Sequence, residues 1–162
     1  MAVSLATGGL KAFAVCSTTL AFKVFVTLSI QGHKAFGAGT RSPEDAKYSR
    51  VTQSYGITKS STDQTEDSPR MARAKMDDVR WRRIVQNDIE NIPIGLTVFL
   101  GSMLAGGNEA ANCALIGLFT AARIGHTFAY AYQVQPHRAI LWSTGQLCIF
   151  ASGLNGIISS FT

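Results

Sequence analysis

The sequence carries few charges outside one stretch. Of its 162 residues, 15 are Lys or Arg and 10 are Asp or Glu, and most of them fall between positions 33 and 91. The segments on either side are nearly free of charge. An ordinary soluble domain scatters charge over all its surface elements, so this asymmetry argues against one. Cysteine is also scarce. Cys16, Cys113 and Cys148 lie far apart within apolar runs, which excludes a disulfide framework and a cysteine metal centre and leaves them as packing residues. The net charge of +5 would suit nucleic acid, but the basic residues lie in one loop. They lack aromatic interleaving and any zinc-finger or helix-turn-helix pattern, so no nucleic-acid partner is expected.

What the sequence does contain is four long apolar stretches. A membrane helix needs roughly 20 mostly apolar residues. Residues 12–30, 89–106, 110–134 and 139–161 meet that need, the first interrupted by Lys23. The fold class expected is therefore all-α, an integral membrane four-helix bundle forming a single domain over residues 1–162. "GGNE" joins the second and third spans and "QPH" the third and fourth, both short enough for helical hairpins. Lys23 and the lack of an A-x-A-like site after the first span argue for a retained helix rather than a cleaved signal peptide. Eleven of the fifteen Lys and Arg residues lie in the loop 33–88, and Arg138 falls on the same side. Positive residues stay cytosolic, which puts that loop in the cytosol and both termini opposite. Within the loop, residues 55–70 have little to bury and are expected to be mobile. From about Arg70 the pattern turns helix-compatible, so the second helix should begin early.

Helical spacing then groups the polar residues, because positions three or four apart share a face. Arg83, Asn87 and Glu90 form one stripe, and Arg123, His126 and Tyr130 form another. The topology brings both stripes and Arg138 to the cytosolic end of the bundle. Arg82 and Arg83 also suit headgroup anchors, Asp88 and Glu90 suit partners of a helix N-terminus, and Tyr132 suits an interfacial aromatic belt. Arg123 lies inside an apolar helix, where an unpaired guanidinium is costly, and Glu90 is the partner expected for it. Lys23 has no evident partner and is expected either to snorkel or to pair within the bundle. Gly95, Gly101 and Ala105 would permit close helix contact. Such a pocket suits a small zwitterionic, peptide-like anion, with arginines for its carboxylates and Glu90 for its ammonium group. An arginine beside a bound thiol would favour the thiolate.

"RRIVQNDIENI" (Arg82 to Ile92), "ARIGHTFAY" (Ala122 to Tyr130), "QPHRA" (Gln135 to Ala139) and "SPEDA" (Ser42 to Ala46) resemble motifs of the MAPEG family, the membrane-associated proteins in eicosanoid and glutathione metabolism. The closest likeness is to its microsomal glutathione transferase branch. The resemblance implies a homotrimer of four-helix subunits in the endoplasmic reticulum membrane, with the mitochondrial outer membrane as a further location. It implies glutathione as co-substrate, no metal, and a lipophilic electrophile or lipid hydroperoxide arriving from the bilayer. Carried over by position, Arg82, Arg83, Asn87, Glu90, Arg123, His126 and Tyr130 would contact glutathione or form its pocket, and Arg138 would be the catalytic arginine. Glutathione-dependent prostaglandin E synthesis and non-catalytic lipid binding are the family's alternatives. Three positions depart from the pattern, and the connection before Arg138 is one residue shorter than the family's. Val85 stands in place of a common histidine, Ala46 in place of the transferase's sensor cysteine, and Lys34 is a weak substitute for an arginine near the end of the first span. Ala139, where the synthases usually have serine, favours the transferase.

Overall fold

A computed structural model describes residues 8–57 and 68–162. They form α1 (Gly8–Ala38), a short 3-10 helix (Pro43–Tyr48), α2 (Pro69–Leu104), α3 (Glu109–Ala131) and α4 (His137–Phe161). The protein is all-helical, with no strand among the described residues. Most of the segment expected to be mobile, residues 58–67, lies outside the described residues.

Helix α2 begins well before the apolar stretch that marked its span. Ser68 Oγ accepts the Met71 N–H at 3.4 Å, and Pro69 opens the helix where a missing N–H is tolerated. This start corrects one expectation. Asp88 and Glu90 lie deep in the helix, far from the end whose free N–H groups they might have served. Among the described helices, only α1 is long and apolar enough by composition alone to cross a membrane. The reason is visible in α3, which buries Asn112, Thr120, Arg123, His126 and Thr127.

The chain divides into two compact units, Met1–Val24 with Asn87–Thr162, and Phe25–Gln86. In the first, four helices share one core. Leu20 of α1, Ile92 and Phe99 of α2, Ile116 and Phe119 of α3, and Cys148 and Ile149 of α4 pack together. The Phe99 and Phe119 rings lie 5.5 Å apart and tilted at 52°, an arrangement aromatic pairs prefer. Gly95 lies against Phe119, and a Cβ there would sit 2.6 Å from the ring. A Cβ on Gly101, expected to act likewise, would meet nothing within 4 Å, so among the described residues it makes no close helix contact. The close approach of α2 to α4 falls instead at Gly156, where a Cβ would meet Ser102 Cα at 2.7 Å.

The α2–α3 turn is fastened by side chains. Asn108 caps α3 by accepting the Ala111 N–H at 3.0 Å, and Asn155 of α4 accepts the Asn108 N–H at 3.0 Å. Glu109 in the first turn of α3 accepts the Gly9 N–H of α1 at 2.9 Å. The exterior of this unit is apolar. Phe22, Leu104, Phe128, Leu147, Phe150 and Ile158 are among its exposed large side chains. Polar groups inside and hydrocarbon outside is the distribution a lipid environment selects.

The second unit is built around two buried polar residues. Asp78 accepts from Thr40 Oγ1 at 2.7 Å, Gln31 Nε2 at 3.2 Å and Arg82 Nη2 at 2.8 Å. Gln53 accepts the Arg41 N–H at 3.1 Å and donates to the Phe36 carbonyl at 3.0 Å. Gly39 has a φ of +71°, and a Cβ there would lie 2.7 Å from the Thr52 carbonyl oxygen. Glycine is therefore required where the chain turns after α1.

Candidate functional site

The polar residues of the first unit gather on one carboxylate. Asp88 of α2 has no exposed side-chain surface and accepts from Lys23 Nζ of α1. It also accepts from Arg123 Nη2 of α3 at 2.7 Å. The same Nη2 donates to Asn87 Oδ1 at 2.7 Å. Asn91, one turn further on, donates to the Asn87 carbonyl at 2.7 Å and accepts from Gln146 of α4. A polar layer thus connects all four helices, and it explains Lys23, which spacing alone had left without a partner.

The partner expected for Arg123 was Glu90, and the structure corrects this to Asp88 with Asn87. The reason is helix phase. Each residue advances about 100°, so Glu90 points roughly 200° away from Asp88. Asp88, Ile92, Gly95 and Phe99 are the buried phase of α2, whereas Glu90 is exposed. Arg123 is only 1% exposed, and its Nε and Nη1 groups have no hydrogen-bond partner among the described residues. Two cations, Lys23 and Arg123, therefore share one carboxylate, an excess of positive charge among buried side chains.

The second cluster is aromatic and cationic. His126 is 3% exposed, so the protein interior encloses it, and its ring meets Tyr130 edge-on at 5.8 Å with 73° between planes. The Arg138 guanidinium lies over the Tyr130 ring, 4.5 Å from its centroid. Among the described residues no carboxylate pairs with Arg138, and the first turn of α4 contains no acidic residue. The structure thus brings together Asn87 with Arg123, and His126 with Tyr130 and Arg138. Arg82 and Arg83 belong to the other unit, where both are exposed and Arg82 pairs with Asp78. Val85 is buried apolar surface, and Ala46 is exposed on the 3-10 helix, so neither position offers a polar group. Lys34 pairs with Asp77 at 3.3 Å. No cluster of metal-ligating side chains occurs among the described residues.

Sequence reasoning left Lys23 to snorkel or to pair within the bundle, and missed Asp88 as the partner. A signal existed: a lone cation in the apolar α1 implies a carboxylate partner, although spacing does not choose between Asp88 and Glu90.

A family model for the MAPEG family matches residues 13–158, nearly the whole chain. The chain belongs to the MAPEG family. That family is membrane-bound and includes glutathione transferases, prostaglandin E synthases and others. No curated protein matches the chain. In this MAPEG protein, Arg123 and His126 of "ARIGHTFAY" and Arg138 of "QPHRA" occupy the two clusters just described.

Proposed function

We propose that this protein is a microsomal-type glutathione transferase, most like microsomal glutathione S-transferase 1, acting on lipophilic electrophiles and also reducing lipid hydroperoxides. The observation that carries this reading is the excess of guanidinium over carboxylate. Arg138 has no carboxylate among the described residues, and Arg123 shares its one carboxylate with Lys23 while two of its nitrogens stay unpartnered. Uncompensated positive charge in a low-dielectric site favours an anion, and a thiolate is one.

In the proposed mechanism Asn87, Arg123, His126 and Tyr130 form the glutathione pocket, with Glu90, Arg82 and Arg83 assigned to it from the resemblance alone. Arg138 lowers the pKa of the glutathione thiol, whose proton leaves to water. The thiolate sulfur attacks an electrophilic carbon, a C–S bond forms, and the leaving group departs or the acceptor takes a proton. The electrophile enters from the bilayer that surrounds the apolar exterior. The reading includes four membrane crossings, a homotrimer, residence in the endoplasmic reticulum, and residues 33–88 on the cytosolic side. Inward-turned polar residues such as Asn112 and Arg123 of α3 and Ser152 of α4 support the additional crossings, because they lower a helix's hydropathy without facing lipid.

An ultraviolet titration of the glutathione thiol on the purified protein tests the proposal. Wild type should bind the thiolate near neutral pH, and Arg138→Ala should bind glutathione as the thiol. If wild type binds no glutathione, the transferase reading fails.

A further inference from the structure

An arginine that must stabilise a thiolate faces two conflicting demands. It must be held still, and it must keep its charge. A carboxylate partner would hold it but would neutralise it and repel the incoming sulfur. Arg138 is held without one. Its guanidinium rests on the face of Tyr130, 4.5 Å from the ring centroid. This aromatic surface attracts the cation through its quadrupole and contributes no net charge. Position adds a second reason for such a clamp. Arg138 lies in the first turn of α4, where the positive end of the helix disfavours a cation and favours an anion. Without attraction from the ring, the side chain would swing out to water.

The ring itself is fixed from below. His126, one turn earlier on α3, is buried and meets Tyr130 edge-on at 5.8 Å. At 3% exposure, His126 is enclosed by protein, and its ring bears on the Arg138 guanidinium through Tyr130.

We infer that Tyr130 is a positioning residue, a neutral clamp that orients the Arg138 guanidinium toward the glutathione sulfur, with His126 bracing the clamp. This inference rests on the proposed transferase reading and assigns Tyr130 a role beyond lining the pocket. What matters is the ring face, and the hydroxyl is dispensable.

The experiment uses the full-length protein in detergent with Tyr130→Phe and Tyr130→Leu, read in two ways. The first needs no glutathione: the Arg138 Nε–H proton, assigned with Arg138→Lys, is shifted by the ring current of a stacked aromatic. Wild type and Tyr130→Phe should show that shift, and Tyr130→Leu should lose it. The second is the thiolate absorbance of bound glutathione. Tyr130→Leu should lower the thiolate fraction near neutral pH and kcat by about threefold to tenfold, the range a partly desolvated cation–π contact supplies, with a smaller change in glutathione Kd. Tyr130→Phe should retain most of both.

If Tyr130→Leu ionises glutathione as wild type does, the clamp is refuted while the transferase reading stands. If Tyr130→Phe falls as far as Tyr130→Leu, the hydroxyl is the operative group and the clamp is again refuted. If wild type shows the ring-current shift but never binds glutathione, the transferase reading falls and the role given to Tyr130 falls with it.

Discussion

Replacing Asp88 with Asn removes one negative charge from a place where two positive charges depend on it. In the native protein, Lys23 Nζ and Arg123 Nη2 both donate to the Asp88 carboxylate, which has no exposed side-chain surface. The cluster has a net charge of one positive unit, and the substitution raises it to two. Breaking a buried ion pair by removing one partner costs roughly 3–5 kcal/mol, because the remaining charge is left desolvated. Here two partners are stranded, so the upper half of that range applies. Lys23→Met is the informative contrast. It leaves the Asp88–Arg123 pair intact at 2.7 Å with no net charge, and exchanging a buried ion for a well-packed apolar group is often neutral or stabilising. The expected order is a large loss for Asp88→Asn and a change within about 1 kcal/mol for Lys23→Met. Denaturant unfolding of each purified variant in detergent micelles, followed by helical circular dichroism, measures both. Equal losses for the two variants would refute the reasoning, since a merely steric role makes no distinction by charge.

Two further predictions concern packing and the second unit. Gly156→Ala places a Cβ 2.7 Å from Ser102 Cα, a backbone atom that cannot rotate away. It should destabilise by about 1–3 kcal/mol in the same unfolding assay. Gly101→Ala, with nothing within 4 Å, should stay within about 0.5 kcal/mol of wild type. Asp78→Ala removes the acceptor shared by Gln31, Thr40 and Arg82, although Thr40 keeps the Ala35 carbonyl and Arg82 is half exposed. The cost should be about 1–3 kcal/mol, and limited proteolysis should cut residues 25–86 faster than in wild type.

The sequence by itself determined the all-helical class, the short α2–α3 and α3–α4 connections, and the family. These follow from properties each segment carries alone: runs of apolar residues, the turn chemistry of "GGNE" and "QPH", and contiguous motifs. It also determined that Arg123 needed a partner, because the cost of an isolated guanidinium in an apolar helix does not depend on the neighbours. Which residue met that need was decided only by the tertiary structure. Spacing placed Arg83, Asn87 and Glu90 on one face of α2, but it could not say how that helix is rotated about its axis. The packing of Phe99 and Gly95 against Phe119 sets the rotation, turning Asp88 inward and Glu90 outward. The same reason applies to Lys23, whose carboxylate lies 65 positions away in the chain. Rotation about a helix axis is fixed by what the helix packs against, and no period within one helix encodes it.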